Sequence, residues 1–252
     1  MERPRFLVTV AATGAAVFAA LLLALAVHRG PLPFDGAVRD WSDSVSGSGN
    51  RLPAVPPGGS TPQAPTAAQI PARTPAQTSS RVRDLMRPIA RLGAREVLIP
   101  LLLLGGGYLW LRRRSPGPLV MLVGSYLGMA MVVGPVKTLL HRPEPFDGPG
   151  QVGLSYPSGH AAQAILVYGM LAALVVARPM GARVRAAAVA VPVVACASVG
   201  IALVVRNAHW LSDMVGGYAI GLAWLAGPLA LADRLPWLLG LPSDRETPIS
   251  SK

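Results

Sequence analysis

The residues from His209 to Asp213 have the types and spacing that nucleophilic chemistry requires. In a helix, residues four apart share a face, so the Asp213 carboxylate can accept a hydrogen bond from one ring nitrogen of His209. The carboxylate then fixes the tautomer and stabilises the imidazolium that develops. The other ring nitrogen is left free, and we predict that it acts as a nucleophile.

A second motif, Pro-Ser-Gly-His at 157–160, precedes an apolar segment and is typical of a helix start. Proline is common in a first helical turn, Ser158 can cap the helix or bind an oxygen, and Gly159 lets a phosphate approach the backbone closely. His160 can protonate a leaving oxygen as a general acid, an effect worth roughly 10²–10⁴ in rate.

Cations accompany the two motifs. Lys137 ends one apolar segment, Arg142 follows it, and Arg206 precedes His209. Cations, a helix N-terminus and two histidines at one place suit a phosphate ester or anhydride. Single residues have simpler explanations: an ordinary helix start, an interfacial histidine beside Trp210, and basic side chains that extend to lipid headgroups. The combination favours a phosphate site.

The composition indicates a membrane protein. Of the 252 residues, 52% are hydrophobic and 14% are charged, whereas about 25% are charged in an ordinary soluble domain. The net charge of +11 does not indicate nucleic acid, because Lys and Arg are scattered beside apolar segments rather than gathered in a stripe with aromatic residues. The single cysteine, Cys196, cannot form an intramolecular disulfide.

Six apolar segments are long enough to span a bilayer, for which about 20 residues suffice. We therefore predict an all-α fold, an integral membrane six-helix bundle with short amphipathic interfacial helices. The first span, 6–27, follows Arg3 and Arg5 and is predicted to be retained, with cleavage after the Ala-Leu-Ala triplet at 24–26 as the alternative. The other spans are predicted at 96–111, 117–137, 159–177, 184–205 and 213–232.

The segment at 31–43 predicts a short helix at the membrane interface. Phe34, Val38 and Trp41 recur at helical spacing and form its apolar face. Asp35 lies away from that face. Asp40 also points elsewhere, as expected for an amphipathic helix at the interface.

The rest of the region before the second span is basic or of low complexity. Residues 81–95 predict a basic amphipathic helix, kinked or broken at Pro88, with anionic headgroups as its neighbours. Residues 44–80 are rich in Pro, Gly, Ser, Thr, Ala and Gln, and predict a flexible linker.

Charge in the short loops predicts the orientation. If the N-terminus is cytoplasmic, the basic clusters at 112–114 and 178–185 are cytoplasmic too, as the positive-inside rule requires. Residues 138–158 and 206–212 then meet on the extracytoplasmic face. The predicted divisions are a first span (1–30), an extracytoplasmic segment (31–95), a transmembrane core (96–232) and a cytoplasmic tail (233–252).

Together these motifs resemble the type 2 phosphatidic acid phosphatase family. Its signature is Lys, six residues, Arg-Pro; then Pro-Ser-Gly-His; then Ser-Arg, five residues, His, three residues, Asp. The resemblance covers roughly 96–232 and includes the glycine pair at 216–217. It implies a bundle of six membrane helices and a phosphatase that acts on lipid phosphates without a metal or cofactor.

The resemblance also implies a role for each matching residue. His209 attacks phosphorus to form a phosphohistidine, His160 protonates the leaving group, and water then hydrolyses the intermediate. The phosphate oxygens are held by Lys137, Ser158 and Gly159.

Two positions depart from the family pattern. One expected arginine is Glu144 and the other is Leu203. Arg142 lies two positions before the first and Arg206 three positions after the second, and we predict that both reach the phosphate from these displaced positions. An impaired member that binds lipid phosphates is the alternative, and a transporter is less favoured because the predicted span interiors lack acidic residues.

The predicted function is hydrolysis of a lipid phosphate or an isoprenoid pyrophosphate at the outer face of the cell membrane. The expected partners are that substrate and the bilayer, with no nucleic acid, metal or cofactor. The sequence does not choose the lipid, because the apolar residues available to bind its tail are generic.

Overall fold

The computed structural model describes residues 2–28, 30–46, 81–145 and 154–241. These residues form helices and connecting turns, with no strand among them. Most of the predicted linker and most of the predicted tail lie outside the described residues. The helices are α1 Glu2–His28, α2 Pro33–Ser46, α3 Arg81–Arg91, α4 Arg95–Arg113, α5 Gly117–Leu140, α6 Gly159–Val176, α7 Ala182–Val205, α8 Leu211–Arg234 and a 3-10 helix, Pro236–Leu239.

Six helical segments in the described part of the chain are long and apolar enough to cross a membrane. They are α1, α5, α6, α7, α8 and the segment Arg81–Arg113, which contains α3 and α4. The predicted all-α architecture with six spans is therefore confirmed. The predicted bounds are also close, since the span predicted at 184–205 is α7.

The basic helix α3 continues through Pro88 instead of breaking there. Its last turn is held by tertiary packing, because Ala90 is buried against Val199 and Leu203 of α7, and Ile89 packs against the same cluster. Such packing offsets the helix bond that proline removes.

The interfacial helix α2 forms where the sequence predicts it, but the opposite face is buried. Phe34 and Trp41 are 43% and 51% exposed, whereas Asp35 is 1% exposed. Ser42 is also buried, and its Oγ donates a hydrogen bond to the Val204 carbonyl oxygen at 3.1 Å. The exposed apolar side chains fit the predicted interfacial helix, because the outer surface of a membrane protein meets lipid, which accepts apolar side chains.

Glycines allow α8 to approach its neighbours closely. A Cβ at Gly14 of α1 would lie 2.5 Å from the Ala219 carbonyl oxygen, and one at Gly217 would lie 2.6 Å from the Ser158 carbonyl oxygen. Small residues at such contacts are typical of membrane helices, whose association depends on close packing. Gly217 thereby lets the start of α6 lie directly against α8.

Replacing Gly217 with alanine is expected to lower the thermal stability of the detergent-purified protein and its activity. The new methyl group meets backbone at 2.6 Å and the Ala161 Cβ at 2.8 Å, and overpacking of this kind costs about 1–3 kcal/mol. Gly227→Ala in the same helix is the matched control, because a Cβ there meets nothing within 4 Å. Equal melting temperatures for the two variants would contradict this account of the contact.

Candidate active site

The two polar motifs meet at one end of the bundle. Ser158 is the N-cap of α6, and its Oγ accepts a hydrogen bond from the Ala161 backbone nitrogen at 3.4 Å. Its own backbone nitrogen donates to the Asp213 carbonyl oxygen at 3.0 Å. The His160 and His209 rings have centroids 6.4 Å apart and planes inclined by 62°.

The four-residue spacing suggests that His209 and Asp213 share a helix face, but His209 lies before the start of α8 and is not in the helix that contains Asp213. Trp210 is the N-cap of α8, and its backbone nitrogen donates to Asp213 Oδ2 at 2.9 Å. The His209 Nδ1 atom nevertheless lies 3.5 Å from the same oxygen. Ser155 Oγ joins the two, since it donates to Asp213 Oδ2 and lies 3.4 Å from His209 Nδ1. Nδ1 is therefore the ring nitrogen that faces the carboxylate and the serine hydroxyl.

Arg142 is held by two buried carboxylates. Its Nη1 donates to Asp213 Oδ1 and to Ser212 Oγ, the latter at 2.7 Å, and its Nη2 donates to Asp35 Oδ2 at 2.7 Å. The Arg142 side chain is 6% exposed and both carboxylates are 0% exposed. Arg142 was predicted to bind the substrate phosphate. In the structure its guanidinium instead neutralises the carboxylates of Asp213 and Asp35.

Asp35 extends this buried network to α2. Its carboxylate accepts hydrogen bonds from the Ser212 backbone nitrogen at 2.9 Å, the Ser212 hydroxyl at 2.7 Å and the Leu32 backbone nitrogen at 3.0 Å. Sequence analysis missed both Asp35 and Ser155 as parts of the site. Neither carries a local signal, because their partners are distant in the chain.

A pocket of about 540 Å³ opens beside the two histidines. Four predicted site residues line it: Lys137, Gly159, His160 and His209. Lys137 Nζ donates to the Leu154 carbonyl oxygen at 2.5 Å. Glu144, at the position where the family pattern has an arginine, also lines the pocket, as do two charged residues that were not predicted for the site, Arg95 and Glu96.

The two positions that depart from the family pattern have different surroundings. Glu144 brings a carboxylate into the pocket, whereas Leu203 is 3% exposed and belongs to the apolar cluster between α3 and α7. Arg206, at the C-cap of α7, is not among the pocket-lining residues, and the charged groups that act on it most strongly are on α3. The first cation that α4 presents, Arg95, lies in the pocket instead, where its Nε donates to Glu96 Oε1 at 3.1 Å.

Residues 118–235 match the PAP2 superfamily. The chain belongs to this family of membrane phosphatases. It is 30% identical over 146 residues to phosphatidylglycerophosphatase B of Bacillus subtilis (strain 168), a match that covers 56% of this chain and 70% of the relative.

The fold is shared with a crystal structure, that of the first transmembrane PAP2 type phosphatidylglycerolphosphate phosphatase from Bacillus subtilis. The TM-score is 0.65 at 20% identity, over 93% of this chain and 98% of that one. With six apolar helices and this fold, the protein is an integral, multi-pass membrane protein.

Proposed function

We propose that the protein hydrolyses a lipid phosphate monoester through a phosphohistidine at His209, without a metal ion. The observation that carries this proposal is the placement of His209 and His160 in one pocket, with 6.4 Å between their ring centroids. A nucleophile lies about 3–3.5 Å from the atom it attacks, and a general acid lies about 2.6–3.2 Å from its acceptor. The separation therefore leaves room for one phosphoryl group between the rings.

The reaction proceeds in two displacements at phosphorus. His209 Nε2 forms a bond to phosphorus while the bond to the lipid oxygen breaks, and His160 gives its proton to that oxygen. Water then attacks the phosphohistidine, His160 accepts a proton from the water, and inorganic phosphate leaves. The same histidine thus serves as acid in the first step and as base in the second.

Buried residues behind His209 hold it for attack. Asp213 and Ser155 bind its Nδ1 side, which directs Nε2 to the substrate. Arg142 and Asp35 in turn fix Asp213, because an unpaired carboxylate in this buried position would be strongly destabilised. We therefore assign Asp35 as a positioning residue, which acts on the nucleophile through Arg142 and Asp213.

The phosphate oxygens are bound by one end of α6 and by two cations. Gly159 lines the pocket in the first turn of α6, where free backbone N–H groups favour an anion. Ser158 supports this turn through its cap. Lys137 and Arg95 supply positive charge, with Arg95 in the role that the family pattern gives to an arginine at position 144 or 203.

The proposed substrate class follows from the balance of charge in the pocket. Arg95 and Lys137 are opposed there by Glu96 and Glu144. This balance suits a phosphate monoester better than a pyrophosphate, which carries more negative charge. The name of the relative, phosphatidylglycerophosphatase B, also points to a lipid that ends in a phosphate monoester.

We also propose that the site faces the extracytoplasmic side. The short basic loops at 112–114 and 178–185 support this orientation through the positive-inside rule. It places residues 31–95 outside and residues 233–252 in the cytoplasm. A topology reporter fused within 146–153 tests it, and a cytoplasmic signal there would contradict it.

Phosphate release by the purified protein in excess EDTA tests the proposed activity. The panel contains phosphatidylglycerophosphate, phosphatidic acid and an isoprenoid pyrophosphate. We expect EDTA-resistant release, fastest from the monoesters. The second candidate function is binding of lipid phosphates without turnover, which the carboxylate of Glu144 in the pocket and the buried Leu203 favour. Binding without release, in a protein shown to be folded, would support that candidate and contradict the first.

Replacing Glu144 with glutamine is expected to retain or raise activity. A carboxylate about 4 Å from a single negative charge costs roughly 1 kcal/mol even with the dielectric constant of water, so KM should fall by up to about fivefold. Glu144→Asp, which keeps the charge, is the matched control and should resemble the wild type. Complete loss of phosphate release in Glu144→Gln would show that the carboxylate has a required role.

A further inference from the structure

Four arginines meet on the surface formed by α3 and the end of α7. Arg83, Arg87 and Arg91 are spaced by four residues and therefore share one face of α3. Arg206 caps the C-terminus of α7, against which α3 packs through Ala90. We call Arg83, Arg87, Arg91 and Arg206 the arginine cluster.

The positive charge of this cluster is only partly neutralised within the described part of the chain. Arg83 pairs with Asp43 of α2 at 3.4 Å, and Arg87 pairs with Asp84 at 3.4 Å. No described carboxylate lies within ion-pair distance of Arg206. Like charges on successive helical turns, here those of Arg83, Arg87 and Arg91, also repel each other. The cluster is thus an electrostatically unfavourable arrangement that a bound anion would stabilise.

Arg206 has the least favourable surroundings for a positive charge in the cluster. Its side chain is partly buried, and burial together with the charges of Arg87, Arg91 and Arg83, in that order, lowers the pKa of its guanidinium, an effect that the carboxylate of Asp84 opposes only in part. A cation that loses hydration and gains cationic neighbours is stabilised by a phosphate, which arginine binds with two parallel hydrogen bonds.

Exposed apolar residues on α3 and α2 indicate that these two helices meet lipid. Leu85 of α3 is 64% exposed, and Trp41 of α2, a helix that contacts α3, is 51% exposed. Basic residues beside exposed leucine and tryptophan are typical of helices at the boundary between headgroups and acyl chains. The apolar segment Arg81–Arg113 also begins here, so the cluster lies at one end of a membrane span.

We propose that the arginine cluster binds the phosphodiester headgroup of an anionic phospholipid from the surrounding leaflet. The phosphate contacts Arg87 and Arg206, and the acyl chains extend from there into the surrounding bilayer. None of the four arginines lines the pocket that contains His209, although the charge of Arg206 reaches His160, so the proposed lipid site adjoins the catalytic one. The lipid is a ligand here and is not cleaved, and the inference does not depend on the proposed activity.

Native mass spectrometry of the detergent-purified protein tests this site. Phosphatidylglycerol and phosphatidylcholine with matched acyl chains are titrated separately, and we expect the anionic lipid to bind more tightly. The double variant Arg87→Gln/Arg206→Gln should weaken phosphatidylglycerol binding at least about tenfold, since each guanidinium–phosphate contact is charge-assisted. Equal binding of the two lipids would overturn the proposal.

A second double variant distinguishes binding at a specific site from a general effect of net charge. Arg112→Gln/Arg113→Gln removes the same amount of charge at the C-terminal end of α4, where both residues are exposed. This control should keep the tight phosphatidylglycerol binding. Equal losses in the two double variants would show a response to net charge alone and would overturn the proposal.

Thermal unfolding shows whether the variant is correctly folded, so that a loss of lipid binding can be told from a loss of structure. Because the cluster is repulsive without its ligand, Arg87→Gln/Arg206→Gln should melt at or above the wild-type temperature in lipid-free detergent. It should also lose the rise in melting temperature that phosphatidylglycerol gives the wild type. A variant that is less stable without lipid, yet still stabilised by phosphatidylglycerol to the wild-type extent, would contradict the assignment.

Discussion

His209→Ala is expected to abolish phosphate release, with kcat lower by a factor of about 10⁴ or more, as for the loss of other catalytic nucleophiles. The pocket would keep Lys137 and the start of α6 and would still bind phosphate. Without the His209 imidazole, however, the group that attacks phosphorus in the proposed mechanism is missing. The measurement is phosphate release from a lipid monoester in detergent micelles, with His28→Ala as the control, because His28 is exposed at the end of α1.

The effect of His160→Ala distinguishes the two histidines. We expect a loss of roughly 10²–10⁴ in kcat with a lipid substrate, whose alkoxide leaving group needs a proton. The first step with an aryl phosphate should be much less affected, since a phenolate leaves without protonation. His209→Ala should remain inactive with both substrates. Rescue of His209→Ala by the aryl phosphate would contradict the assignment of roles.

Asp35→Asn is expected to lower kcat by about 10–100-fold, in the range found when groups behind a reactive centre are removed. Arg142 would keep only one of its two carboxylates, so the geometry that Asp213 imposes on His209 would change. KM should change little, because Asp35 does not line the pocket. Kinetics at several substrate concentrations, measured well below the melting temperature, separate the two parameters.

Asp40→Asn is the matched control for this variant. Asp40 lies in the same helix and is exposed, so its loss should leave both kcat and KM unchanged. Breaking a buried ion pair costs about 3–5 kcal/mol of stability, so Asp35→Asn should also melt at a lower temperature. A folded Asp35→Asn protein with wild-type kcat would show that Asp35 serves stability alone.

The membrane architecture was predictable because its signals are local. A run of about 20 apolar residues predicts a span without knowledge of its partners, and the predicted 117–137 and 213–232 fall within α5 and α8. The number of spans between the Pro-Ser-Gly-His motif and His209 also predicted that the two lie on the same face of the membrane. The burial of Asp35 did not follow, because its partners Arg142 and Ser212 are far away in the sequence.

The surroundings of the arginines depended on side-chain direction, which spacing alone does not give. α5 ends at Leu140, and His141 adopts the left-handed conformation with φ 44°, so the chain turns before Arg142. Arg142 then meets Asp35, which is 107 residues away in sequence. A pairing over that separation has no local pattern to reveal it.

The most direct test of the central claim is detection of the phosphohistidine itself. His160→Ala is mixed with a radiolabelled aryl phosphate in excess EDTA, quenched in alkali and digested. This variant should accumulate the intermediate, because its formation needs no acid and its hydrolysis lacks the base. We expect label that is stable in alkali and labile in acid, on the peptide that contains His209. Label on another residue, or turnover by the wild type that EDTA abolishes, would contradict the account.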